Sequence, residues 1–111
     1  LREQSQVAKA ALGAHTMVPW SHEETITKCL TKLRKKGFTI IAFEQTPESV
    51  DYRTLETNGS SACIFGNEIL GVSKEVLGLS DIVAHIPLYG KKESLNVTTA
   101  AGIGLFRLLH P

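Results

Sequence analysis

Apolar residues recur at two different spacings along this chain. After Ser21-His-Glu-Glu24, the residues Ile26, Cys29, Leu30 and Leu33 follow one another at three- and four-residue intervals as far as Lys35-Lys36-Gly37. That spacing predicts an amphipathic helix with Ser21 as its N-cap, Glu24 three residues on, and Gly37 at its end. Residues 38–43 are then a short apolar run rich in β-branched side chains, the pattern of a strand buried on both faces. Asn58-Gly59-Ser-Ser marks a loop, and residues 62–65 read as another buried strand running straight into Gly66. Ser73 is placed to cap a short helix through about Leu77. Residues 81–86 form a third strand stopped by Pro87, and Asn96 is placed to cap a last helix over residues 97–109. A weaker strand signal lies near residues 16–18.

Helices alternating with short, nearly all-apolar strands predict an α/β fold: a parallel sheet with helices on both faces. No internal repeat or low-complexity segment is visible. At 111 residues the chain fits one domain, and its 42% hydrophobic content is that of an ordinary globular protein. No apolar run approaches the roughly 20 residues needed to cross a bilayer, and the first residues are polar, unlike an export signal. The expectation is a cytoplasmic protein without a membrane partner. Cys29 and Cys63 each sit in an apolar pattern without a neighbouring Cys or His at ligand spacing, so buried thiols are expected and no metal site. His15, His22, His85 and His110 show no ligand spacing either. Lys32, Arg34, Lys35 and Lys36 form a basic cluster that the helix dipole explains. A net charge of +1 does not advertise a polyanion partner, so any polyanion must be held by local charge or from elsewhere.

In a parallel sheet, ligands bind beyond the carboxyl ends of the strands, which directs attention to the segments after Phe43, Phe65 and Ile86. The second reads Gly66-Asn67-Glu68-Ile69-Leu70-Gly71, and the third Pro87-Leu88-Tyr89-Gly90-Lys91-Lys92-Glu93-Ser94-Leu95-Asn96-Val97. Gly66 lets backbone come close to a ligand, and Gly71 permits a positive φ where the loop enters its helix. A Gly-Asn turn serves equally as a simple turn, and Asn96 as a simple cap. Free N–H groups at the last helix's start favour an anionic or polar ligand group.

Taken together, Gly66-Asn-Glu-x-x-Gly71 followed by Ile86-Pro-Leu-x-Gly90-x-x-x-Ser94-Leu-Asn-Val97 and a small-residue helix resembles the last two signature motifs of the SpoU/TrmH RNA 2'-O-ribose methyltransferases, of the SPOUT superfamily. The segment from Ala10 to Trp20, with Glu44-Gln45-Thr46 and Ser49-Val50, is similar to one branch of that family, so the resemblance covers nearly the whole chain.

The resemblance implies a C-terminal trefoil knot, an exception to the usual rule against knots, and S-adenosyl-L-methionine as cofactor. It assigns Gly66, Ile86, Leu88, Leu95 and Asn96 to the cofactor, and Glu68 and Asn96 to the polar, catalytic positions. An exposed surface carboxylate is the plain alternative for Glu68. Lys91 and Lys92 become candidate RNA-phosphate contacts, with solvated loop charges as the alternative. The implied reaction is methyl transfer to a ribose 2'-hydroxyl of tRNA or rRNA by a homodimer.

In the family, an arginine in an N-terminal motif of the type Asn-x-x-Asn-x-Gly…Arg is assigned to activating that hydroxyl. No such motif occurs here, and Arg2, Arg34, Arg53 and Arg107 lie in no matching context. The expectation is therefore a single, N-terminally incomplete SpoU-type domain over residues 1–111. A methyltransferase-like module that binds cofactor or RNA without catalysis is the second reading. A flavodoxin-like nucleotide-binding domain is a third, disfavoured because no Gly-rich loop follows the first strand. Ala100, Ala101, Gly102 and Gly104 imply close approach of another backbone, either within the knot or across a subunit interface.

Overall fold

A computed structural model describes residues 21–56, 59–66, 70–87 and 97–110. The expected strand near residues 16–18 and the Asn96 cap lie outside them. Four parallel strands, β1 (Thr39–Phe43), β2 (Val50–Asp51), β3 (Ser61–Phe65) and β4 (Ile82–His85), form one sheet in the order β2-β4-β1-β3. Helix α1 (Ile26–Lys35) precedes β1, α2 (Lys74–Leu79) joins β3 to β4, and α3 (Val97–Leu109) follows β4. A single 3-10 turn, Tyr52–Thr54, follows β2.

Helix α1 starts one turn later than expected. Thr25, in extended backbone, is the N-cap and its hydroxyl accepts from Lys28 N at 3.3 Å. An earlier turn would have contained only His22, Glu23 and Glu24, with no apolar side chain to bury, so the Ser21 capping pattern is not used. The C-terminus ends as expected: Phe38 N donates to Leu33 O and Gly37 N to Arg34 O, both at 3.0 Å, a Schellman closure that turns the chain into β1. Ser73 caps α2 by accepting from Val76 N at 3.3 Å.

Strand β1 is the spine. Ile40, Ile41 and Ala42 are wholly buried, because helices cover both faces and β3 and β4 flank both edges. Alternation sends Ile40 and Ala42 toward α1 and α2, where they pack with Leu30, Val72 and Val76. Ile41 and Phe43 go to the opposite face with Leu55, Ala84, Ile86 and Leu108 of α3. Burying each isoleucine contributes about 1.5–3 kcal/mol. Strand β3 is only half-buried, contrary to the sequence expectation, because β1 is its sole neighbour among the described strands. Both cysteines are free and half-buried rather than buried, and desolvation pushes the Cys63 thiol above its ordinary pKa.

The small residues of α3 divide between two roles. Gly104 is buried against the Phe43 ring of the same chain, whereas around Gly102 the space is open. No helix among the described residues is long and apolar enough to cross a membrane.

Candidate functional site at the carboxyl ends of the strands

The parallel sheet directs β1, β3 and β4 to the same end, where Glu44, Gly66 and Ile86 follow the last paired residues. The strands that lead into the two segments singled out from sequence are not neighbours. Gly66 continues β3 and Ile86 continues β4, and β1 runs between them, so they stand about 10 Å apart across two strand spacings. A ligand touching both must pass over the end of β1.

Gly66 is half-buried, and a β-carbon on it would lie 2.6 Å from Gly71 O, so its lack of a side chain lets the loop's returning limb close against its start. Gly71 has the expected positive φ, +68°. Sequence reasoning attached no function to what holds this closure. Glu44 Oε2 accepts from Val72 N at 2.7 Å and Oε1 from Gln45 N at 3.2 Å, while Glu44 N donates to Ala84 O at 2.9 Å. A side chain on Gly71 would run into the Glu44 carboxylate. The Glu44-Gln45-Thr46 string was the available signal, but only pairing geometry places Glu44 between the two loops.

Phe43 and Phe65 stack with centroids 4.9 Å apart and planes 14° from parallel, and Ile86 packs in the same cluster. These groups belong to the apolar cluster on the face of the sheet that α3 covers, with Phe65 and Ile86 half-buried. On the other side of β4, the Ser49 hydroxyl lies 2.7 Å from Thr46 O and 2.8 Å from His85 Nδ1. Two oxygens that close need a hydrogen between them, and only the hydroxyl supplies one, so His85 Nδ1 carries the hydrogen it donates to Ser49. Asp51, paired in register with His85, is bound by Arg53 Nη2 at 2.6 Å and Nε at 3.0 Å. The Arg53 side chain and then its backbone N–H hold the Asp51 pKa down at about 2.

Glu68, Leu88, Lys91, Lys92, Leu95 and Asn96 lie outside the described residues. Of the expected site residues, Gly66 and Ile86 are thus placed at the same end of the sheet. The basic residues of α1 belong to the opposite end: they precede β1's amino end, and Lys32 pairs with Glu23 and Arg34 with Asp81 at the surface. Among the described residues, no group of three or more His, Cys, Asp or Glu side chains is placed to hold a metal ion.

The model of the SpoU rRNA Methylase family matches residues 2–106. The chain belongs to that family. This SpoU-family chain is similar to the tRNA (guanosine(18)-2'-O)-methyltransferase of Borreliella burgdorferi, 32% identical over 98 residues, which make up 88% of this chain and 45% of the relative. Among solved structures, it resembles the TrmH/SpoU tRNA modifying enzyme of A. aeolicus, with a TM-score of 0.82 and 32% identity over 90% of this chain and 51% of that one. It also resembles the AdoMet-bound rRNA methyltransferase of Sinorhizobium meliloti, with a TM-score of 0.65 and 30% identity over 73% of this chain and 31% of that one. The SpoU-family chain spans about half the length of the curated relatives it matches.

Proposed function

We propose that this protein transfers a methyl group from S-adenosyl-L-methionine to a ribose 2'-hydroxyl of tRNA or rRNA. The observation that carries the reading is the placement of Gly66 and Ile86 at the same end of the sheet, on either side of β1, in a SpoU-family fold. The half-buried Phe65 and Ile86 offer apolar surface that suits a purine, and strand-end backbone suits its polar edge. Support also comes from relatives named as 2'-O-methyltransferases and from a structural neighbour that holds AdoMet.

On this proposal Gly66, Ile86, Leu88, Leu95 and Asn96 hold the cofactor. Glu68 and Asn96 act beside the reacting atoms, and Lys91 and Lys92 meet RNA phosphates. Bound cofactor supplies a methyl group on a sulfonium, already a good leaving group. What remains for the chain is to align the ribose oxygen in line with that methyl and to remove the hydroxyl proton. The Asn96 amide fixes the loop that enters α3, and Glu68 orients the ribose.

We further propose that residues 1–111 belong to a single SpoU-type domain, that its C-terminal part passes through a trefoil knot, and that the protein works in the cytoplasm on its RNA. We assign a homodimer to the open face of α3, where Leu105, Phe106 and Leu109 are 47%, 66% and 76% exposed and share a helical stripe with Gly102. Phe106→Glu is expected to yield a monomer by sedimentation.

The deciding experiment incubates the protein with labelled S-adenosyl-L-methionine and tRNA or rRNA, and reads 2'-O-methylnucleosides by mass spectrometry. Transfer supports the enzyme. Cofactor binding by calorimetry without transfer to either RNA would favour the non-catalytic module. Absence of binding removes the site.

A further inference from the structure

We infer that Glu44 is a positioning residue for the cofactor loop: from the end of β1 its carboxylate grips Val72 and so sets where Gly66 meets the cofactor. This rests on the cofactor reading above. Glu44 lies beyond the last β1–β3 pair, Phe43↔Phe65, and its backbone N–H extends the pairing with β4 by one bond to Ala84 O. The sheet's core ends before it. Its side chain spans to residue 72, 28 positions later, and accepts there at 2.7 Å.

Loop 66–72 is closed by two fits. Its start and end touch at Gly66 and Gly71, where no side chain can be accommodated, and its end is tied to the sheet through Val72 N. A carboxylate accepting a backbone N–H makes a charge-assisted hydrogen bond, stronger than a neutral one. The carboxylate is itself held: Oε1 takes Gln45 N, and the next residue, Thr46, donates its N–H to Ser49 Oγ at 3.2 Å while Ser49 is anchored to His85 on β4. Strand β4, whose end carries Ile86, and the loop that follows β3 are therefore joined through one residue at the end of the strand between them, by its backbone N–H on one side and its carboxylate on the other. Glu44 touches neither reacting atom nor substrate in this scheme; it acts through the loop.

The test compares Glu44→Ala, Glu44→Gln and Gly71→Ala in the full protein under conditions where circular dichroism shows each to be folded. S-adenosyl-L-methionine affinity is measured by calorimetry, and hydrogen exchange is followed at the Val72 amide without cofactor. Glu44→Ala is expected to weaken cofactor binding and speed Val72 exchange by about tenfold or more, as for loss of one charge-assisted hydrogen bond. Glu44→Gln keeps one carbonyl acceptor of the same reach for Val72 N but loses the charge and the acceptor for Gln45 N, so both readouts should fall between those of the wild type and Glu44→Ala. Gly71→Ala, which drives a β-carbon into the carboxylate, should weaken binding by an independent route.

Unchanged affinity in Glu44→Ala, or a Gln variant as impaired as the Ala variant, overturns the inference while leaving the cofactor site standing. A wild-type protein that binds no cofactor overturns both. If Glu44→Ala does not fold, Gly71→Ala and Glu44→Gln decide: weakened binding in the first with a smaller loss in the second supports the inference, and any other pair of results rejects it.

Discussion

The ring of Phe43 on β1 fills the space that a side chain on Gly104 of α3 would occupy: a β-carbon there would lie 2.7 Å from Phe43 Cζ. The ring cannot easily retreat, since it is buried and stacked on Phe65. Gly104→Ala should therefore destabilise the protein by about 1–2 kcal/mol, overpacking outweighing the roughly 1 kcal/mol gained in helix propensity. Gly102→Ala, facing open space on the same helix, should stabilise by about 0.5–1 kcal/mol at low protein concentration. Denaturant melts of the two variants check the opposite signs.

The start of α1 yields a second contrast. Thr25→Ala removes the acceptor for Lys28 N and is expected to lower stability by about 1 kcal/mol. Ser21→Ala should leave it unchanged, because the structure does not use that residue as a cap. Equal effects in urea titrations would put the helix start back at Ser21.

At the amino end of the sheet, Asp81 Oδ2 accepts from Ile40 N at 2.7 Å while Asp81 N donates to Ile40 O at 2.8 Å. Ile40 is wholly buried, so Asp81→Ala strands a backbone N–H and should lose about 1–3 kcal/mol. Asp81→Asn, which keeps an acceptor oxygen, should lose clearly less. The exposed Arg34 partner contributes little, so Arg34→Ala should be the mildest of the three.

Asp51 carries a pH dependence whose sign is set by Arg53. Its folded pKa, about 2, is below the ordinary 3.8, so the stabilisation is complete above 3.8 and is lost as the pH falls from there toward 2. Arg53→Ala should raise the Asp51 titration midpoint toward the ordinary value, read from the carboxyl carbon by NMR. A midpoint that stays near 2 would show that the guanidinium is not the cause.

Local patterns were legible wherever a single face or a single turn was at issue. The helical spacing of Ile26, Cys29, Leu30 and Leu33, the apolar run ending at Phe43, the Ser73 cap and the positive φ of Gly71 all follow from side-chain period and local sterics. The same locality misled at Ser21, where a valid capping pattern had nothing apolar to bury, and at β3, where an apolar run is half-buried because its second flank is not covered by a described strand. The loops after Phe65 and Ile86, and the family they point to, were also readable from residue order alone.

Only the tertiary structure decided what stands between those loops. Strand order is set by which faces and edges can be buried together, and it inserts β1 between β3 and β4. That insertion brings Glu44 to Val72, the pairing of β2 with β4 brings His85 to Ser49, and the packing of α3 on the sheet brings Phe43 to Gly104, pairs 28, 36 and 61 residues apart. Residue spacing along the chain determines which side chains share a face of their own element. Contacts between elements depend on how the sheet closes around its most apolar strand, and no period in the sequence records that.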